Sequence, residues 1–272
     1  MAGIYANDNG TWKLPKSIWV KTGGVWRVCS NVYVNKSGSW REMIKSVTLT
    51  SSKNNFNLYS YVGSPSQPLS LIFNINSNVT IGSYNATNNV NPAKRTTAFT
   101  VGNFPAGSTV IINNNGYITG GGGFGGRGHN LYRQTKSNGG AGGDGITKGS
   151  SRNFDCTIVN TGTIAGGGGG GGGGYGFLVP GSNYAANATW QTGSTGGQGA
   201  GITGYSRTQG GPVSVADPRA GGGRGGSLGE PGQNDTTSNA NGSIYTYGGA
   251  GGKAITGGIE IAVSGTIIGA VG

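Results

Sequence analysis

Thr157-Ile158-Val159 leads to Thr161-Gly162-Thr163-Ile164-Ala165, and from Gly166 to Gly174 every residue is glycine. This stretch poses the folding problem of the whole chain. Glycine loses more backbone freedom on ordering than any other residue. The chain has 272 residues and 60 glycines, only nine of which lie within residues 1–115. At ~1–2 kcal/mol per residue, ordering those beyond residue 115 opposes folding by roughly 50–100 kcal/mol. Glycine has no side chain to bury, so only main-chain hydrogen bonding between closely packed segments can offset that cost. A polyproline-II-type rod meets the need: it has three residues per turn and no internal hydrogen bonds, so its N–H and C=O groups point sideways to neighbours. Close lateral packing in turn demands residues without Cβ.

Six such tracts are present: Gly120–Gly128, Gly139–Gly145, Gly166–Gly174, Gly193–Gly201, Gly221–Gly229 and Gly248–Gly252. They predict a stack of polyglycine rods, each about 28 Å long for nine residues, with Phe124, Arg127 and Arg224 pointing outward. Collagen is excluded because the region keeps no strict Gly-X-Y period and the chain has nine prolines. A flexible linker would lack the aromatic and β-branched residues that recur between the tracts.

Three short motifs share one register: Asn115-Gly116-Tyr117-Ile118-Thr119-Gly120, Thr161-Gly162-Thr163-Ile164-Ala165-Gly166 and Ser264-Gly265-Thr266-Ile267-Ile268-Gly269. Each comes after an apolar run (Val110-Ile111-Ile112, Thr157-Ile158-Val159 and Ile259–Val263), which reads as a strand. The strands therefore form the base from which the tracts leave. Segments 129–138, 175–192, 202–219 and 230–247 lie between tracts. They carry Leu131, Tyr132, Arg133, Phe177, Tyr184, Trp190, Tyr205, Arg207, Tyr245 and Tyr247, with His129 and Arg219. Rigid aromatic anchors among Ser, Gly and Asn resemble an antibody's binding surface; alternatively, they cover the sides of the rods. If successive rods run out and back, 129–138, 175–192 and 230–247 emerge at one end and 202–219 lies at the base.

The first 45 residues hold a second repeat. Trp12-Lys13, Trp26-Arg27 and Trp40-Arg41 recur every 14 residues, each tryptophan two residues after a glycine (Gly10, Gly24, Gly38). Each unit reads as a β-hairpin. One such hairpin is too small to stand alone, and three equivalent hairpins suit a partner with three-fold symmetry. Tryptophan and arginine dominate interface energetics, so Trp12, Lys13, Trp26, Arg27, Trp40 and Arg41 are the candidate attachment residues; the tryptophans also serve as hairpin cores in the simplest alternative. The expected organisation is a three-hairpin attachment module at 1–45, a β-rich connector at 46–115 and a polyglycine binding domain at 116–272. The class is mostly β and irregular, with few or no α-helices.

The formal charge is +11, but the cations are dispersed and no nucleic-acid motif appears, so nucleic acid is not an expected partner. Cys29 and Cys156 lack metal-ligand spacing and read as free thiols made in a reducing compartment. The N-terminus shows no signal-peptide pattern. An enzyme is not expected. Glycoside hydrolysis needs two carboxylates flanking a cleft, and Asp144, Asp155, Asp217, Glu230, Asp235 and Glu260 are scattered. A single histidine, His129, excludes a His-rich metal site and argues against a Ser-His-Asp triad. No cofactor or metal is expected.

The Trp repeats, with motifs such as Gly139-Gly140-Ala141-Gly142-Gly143 and Gly221-Gly222-Gly223-Arg224-Gly225-Gly226 alternating with variable segments after them, resemble the tail fibre adhesins of T-even-type bacteriophages. The resemblance implies a sandwich of polyglycine type II helices. It implies a tip protein attached through residues 5–41 to the distal subunit of a trimeric long tail fibre, made in the host cytoplasm. It further implies that the intervening segments bind a bacterial outer-membrane protein, with lipopolysaccharide also contacted in some members, and so determine host range. A fibre assembly chaperone and a glycine-rich structural or surface-binding protein are the competing readings.

Overall fold

The computed structural model describes residues 6–8, 11–13, 19–28, 31–36, 39–83, 97–126, 138–149, 153–173, 178–179, 189–190, 201–203, 206–208, 224–234 and 247–272; before residue 44, side chains are described only at 21 and 23–26. The 14-residue repeat folds as three consecutive antiparallel hairpins: β1 (Ala6–Asp8) with β2 (Thr11–Lys13), β3 (Trp19–Thr22) with β4 (Val25–Val28), and β5 (Asn31–Lys36) with β6 (Ser39–Leu49). The pairing repeats with the sequence, Asn7 opposite Trp12, Lys21 opposite Trp26 and Asn35 opposite Trp40. Gly23 and Gly24, at φ +59° and +82°, make the two-residue turn that matches strand twist and requires positive φ at both positions.

The second strand of the third hairpin, β6, extends into a larger sheet. From Ile44 the chain winds as a parallel β-helix with three faces. Its first rung is completed by β7 (Lys53–Asn54) and β8 (Phe56–Asn57), with a one-turn helix α1 (Leu58–Tyr61) directly after it. The second rung is β9 (Ser70–Ile75), β10 (Thr80–Gly82) and β11 (Phe99–Thr100); the third is β12 (Thr109–Asn114), β13 (Tyr117–Thr119) and β14 (Ile146–Thr147). The fourth starts with β15 (Asp155–Asn160) and β16 (Thr163–Ala165). Two antiparallel hairpins intervene, β17 (Leu178–Val179) with β18 (Thr189–Trp190), and β19 (Gly201–Thr203) with β20 (Ser206–Thr208). Then β21 (Ile255–Thr256) completes the fourth rung, and β22 (Glu260–Val263) and β23 (Thr266–Ile268) form the fifth. The faces are β6-β9-β12-β15-β22, with β5 on its first edge, then β7-β10-β13-β16-β23 and β8-β11-β14-β21.

Alternation within the strands fills the interior. Leu71, Val110 and Cys156 stack in register, as do Phe73, Ile112 and Ile158, and both ladders are buried. On the other faces Ile81, Ile118 and Ile164 form one ladder, and Phe56, Phe99, Ile146 and Ile255 another. Phe56, Phe73 and Phe99 meet at ring-centroid distances of 5.1–6.2 Å with Tyr61. Burial pushes the Cys156 thiol up to about 12, partly opposed by nearby Lys148, so this free thiol stays protonated in the core. Cys29 lies outside the described residues.

One ladder is polar. Asn114 and Asn160 are fully buried above Ile75; Asn114 Nδ2 donates to Asn160 Oδ1 at 2.8 Å, and Asn114 Oδ1 accepts from Gly116 N at 3.2 Å. An asparagine ladder satisfies the main chain where the β-helix turns its corner. Asn114→Ala strands the Asn160 acceptor, and we expect it to lower stability by about 2 kcal/mol, measured as a lower melting temperature; an unchanged melt would count against the ladder's role.

The boundary expected at residue 115 is not a structural one. Strands on both sides of it belong to the same three sheets, because parallel pairing joins Ile118 to both Ile81 and Ile164. Residues 46–115 are the first rungs of the solenoid that the strands from β13 onward continue.

Candidate functional site

The corner between the second and third faces positions the glycine tracts. In the first rung Asn55 alone turns it, at φ +46°. The second rung opens the same corner to residues 83–98, the third to 120–145 and the fourth to 166–254. The glycine tracts are thus insertions into one corner of a β-helix, and their roots are held by stacked strands.

Main-chain bonds join the tracts with a three-residue period. Gly120, Gly123 and Gly126 donate to Ala165, Gly168 and Gly171 at 2.9, 2.8 and 2.7 Å, so 120–126 and 165–171 run side by side in the same direction. Gly143 and Gly140 donate to Gly121 and Phe124, which sets 138–145 antiparallel to the first tract. Gly139, Gly142 and Gly145 donate to Tyr247, Ala250 and Lys253, each at 2.9 Å, so 247–253 runs parallel to 139–145. Gly226 and Gly229 donate to Gly169 and Gly166, whereas Gly169 and Gly172 donate to Glu230 and Gln233. The chain therefore returns to the β-helix along 224–229, turns at Ser227–Gly229 and leaves again along 230–234. At ~3.1 Å per residue, 120–126 reaches about 20 Å from the corner.

These directions bring the far ends together. Gln233 N donates to Arg224 O at 2.8 Å, Gly172 N to Gln233 O at 3.0 Å, and Gly139 N to Tyr247 O at 2.9 Å. Tyr247 N donates to Asn138 Oδ1 and Gly248 N to Asn234 Oδ1, both at 3.0 Å. Segments 127–137, 174–223 and 235–246 each depart from and return to this one end. Tyr247 sits on it with 58% of its surface exposed. Within 174–223, however, Cα atoms of β19 come within 8 Å of β10. That places Arg207, which pairs with Ile202 across this hairpin, beside the β-helix. Trp190 pairs with Leu178 across β17 and β18. Leu131, Tyr132, Arg133, Phe177, Tyr184, Tyr205 and Tyr245, with His129 and Arg219, lie outside the described residues, as do Gly193–Ala200 and Gly221–Gly223.

At the other end of the chain Trp12 and Lys13 lie on β2, Trp26 and Arg27 on β4, and Trp40 and Arg41 on β6. The Trp26 side chain is 62% exposed and its neighbour Val25 57%. Hairpin self-packing therefore does not account for Trp26.

Two features of the tracts differ from the sequence-based expectation. Phe124 does not point outward: it is buried, its ring against Gly140, where a Cβ would collide with it. The glycine opposite leaves the space that the ring occupies. Arg224 is exposed, as expected, and Arg127 is outside the described residues. Second, a local Gly-Gly-X pattern runs through the tracts, with Asn138, Ala141 and Asp144 in one and Tyr247, Ala250 and Lys253 in its partner. The pattern is visible in the residues, but it is too short to register as a region-wide collagen period. The side chains of Asn138, Asp144 and Asn234 accept from tract amides, a role that their residue types alone do not mark.

The sequence model of a family described as phage tail fibre adhesin Gp38 matches residues 44–272. Among solved structures, the chain is similar to the crystal structure of the gp37-gp38 adhesin tip complex of the bacteriophage S16 long tail fibre. The TM-score is 0.52 and the identity 23%, over 85% of this chain and 83% of that one, which establishes a shared fold. No curated protein matches the chain.

Proposed function

Because the chain belongs to the phage tail fibre adhesin Gp38 family, we propose that it is the receptor-reading tip of a long tail fibre, part of the virion and made in the host cytoplasm. Its hairpins attach it to the distal subunit of a trimeric fibre, one adhesin per tip. Segments at the far end of the tract bundle bind a bacterial outer-membrane protein and determine host range, and lipopolysaccharide is a second contact. The observation that carries this reading is the convergence of three segment roots at one end of the tracts. A binding surface made of loops needs a rigid post, because order imposed before binding need not be imposed during it.

We infer that the post is a bundle of polyglycine type II helices. The three-residue bonding period, lateral bonds to several neighbours and Gly-Gly-X spacing all support that assignment. The candidate contacts are Leu131, Tyr132, Arg133, Phe177, Tyr184, Trp190, Tyr245 and Tyr247. Tyr205 and Arg207 rank behind them because their hairpin lies near the β-helix.

Attachment is assigned to Trp12, Lys13, Trp26, Arg27, Trp40 and Arg41. Exposure of Trp26 supports it, and the S16 structure is of a gp37-gp38 complex. Trp26→Ala removes an exposed ring without touching the core, so the protein should melt as before. Loss of one interface anchor of about 2 kcal/mol should weaken capture by the fibre's distal subunit about 30-fold. Undiminished capture would discard the hairpins as the clip. Detecting the chain in purified virions separates an adhesin from an assembly chaperone, which would leave the particle.

A further inference from the structure

Two asparagines stand where the tract lattice runs out. Inside it, each bonded amide finds a carbonyl of a neighbouring tract. At Tyr247 and Gly248 side chains supply the acceptors instead: Asn138 Oδ1 for Tyr247 N and Asn234 Oδ1 for Gly248 N, both at 3.0 Å. Gly139 N donates to Tyr247 O at 2.9 Å, so Asn138 and Gly139 together hold both main-chain groups of Tyr247. The same arrangement recurs at the β-helix end of this tract pair, where Asp144 Oδ1 accepts from Lys253 N at 2.9 Å and Gly145 N donates to Lys253 O at 2.9 Å. The chemistry is that of a helix N-cap: a short side chain with a carbonyl oxygen satisfies a terminal donor that regular structure cannot reach. Here it caps a rod with no internal bonds of its own.

The capped positions are loop roots. Asn138 ends the 127–137 segment, Asn234 begins the 235–246 segment and Tyr247 ends it. We propose that Asn138 and Asn234 are positioning residues that tie the root of 127–137 to the roots of 235–246, so that the chain presents both segments to the receptor from one joint that carries exposed Tyr247. This rests on reading those segments as receptor-binding. Without the two caps the amides of Tyr247 and Gly248 would lose these acceptors, while main-chain bonds remain at Gly139 N to Tyr247 O, Gly142 N to Ala250 O and Gly232 N to Gly249 O, each 2.9 Å. The bundle would persist on those bonds while the roots gained freedom. The roots would then be fixed only on binding, at a cost in affinity.

The test uses the full-length protein and particles carrying it, with Asn138→Ala, Asn234→Ala and Asn138→Asp, the last retaining the acceptor oxygens. Amide exchange reads the caps, thermal melting reads the bundle, and adsorption to the native host reads the consequence. Both alanine variants should melt like the parent, exchange the amide at 247 or 248 at least tenfold faster and adsorb about tenfold more slowly, while Asn138→Asp recovers most of both losses. Unchanged exchange at 247 and 248 would overturn the caps. Faster exchange with parental adsorption would overturn the positioning role, and so would a fall in melting temperature that tracks adsorption across the variants. If exchanging the segments themselves leaves host range untouched, the receptor reading fails instead, and the exchange data still report on the caps.

Discussion

Gly170→Val should abolish folding of the tract bundle while leaving the N-terminal hairpins and first β-helix rungs able to form. Gly170 donates to Gly140 O at 2.8 Å and accepts from Gly249 N at 2.7 Å, so its backbone is held by two tracts at once. A Cβ built there would overlap the carbonyl group of Phe124 and lie 3.0 Å from Gly125 N. The obstacle is backbone of a third tract, which cannot rotate away as a side chain can. Overpacking in ordinary cores costs about 1–3 kcal/mol because side chains and helices shift; here a shift would break a row of main-chain bonds. We expect at least about 4 kcal/mol, a large share of the ~5–15 kcal/mol that holds a typical domain folded. Ala250→Val is the control, since Ala250 occupies an exposed X position of the Gly-Gly-X pattern. Circular dichroism melts and limited proteolysis of the two variants decide it. A Gly170→Val protein as stable as the control would refute close packing of bare backbones.

The second large effect is on host choice. Exchanging 127–137 and 235–246 together for those of a relative with a different host should transfer adsorption to that host, provided Asn138 and Asn234 are kept. The segments carry Leu131, Tyr132, Arg133 and Tyr245. Loss of two anchors at about 2 kcal/mol each would weaken binding to the original receptor about 10³-fold. Adsorption to a panel of strains lacking single outer-membrane proteins would identify the receptor before and after exchange. Adsorption that still tracks the original host would show that these segments are not the readers.

Trp26 and Gly170 show that the two ends of the chain obey different physics. At the hairpins, side chains such as Val25 and Trp26 stand exposed on ordinary antiparallel strands. In the bundle, backbone meets backbone and the Phe124 ring enters over a glycine, so the local rule is a missing Cβ. The β-helix lies between and mixes both, with apolar ladders inside and glycines such as Gly116 and Gly162 at corners where a Cβ would meet the neighbouring rung.

Local chemistry was legible in the sequence alone. The 14-residue period and the Gly23-Gly24 turn announced hairpins because the turn's positive φ and the strands' alternation are properties of adjacent residues. The tracts announced lateral main-chain bonding because glycine leaves no other source of stabilisation. The three Gly-containing motifs share one register along the chain, and they stack as Tyr117, Thr163 and Thr266 on one face. That these strands close a β-helix continuous with residues 44–100 was decided only in three dimensions. Parallel pairing joins residues far apart along the chain, as Thr163 joins Thr266 across the whole fourth-rung insertion, and no local pattern encodes the partner. The tertiary structure also decided which way each tract runs, that Phe124 turns inward over Gly140, and that Asn138 and Asn234 reach the root of Tyr247 and Gly248. All of these depend on which backbone lies alongside, and a segment bonded laterally to other segments takes that information from its neighbours.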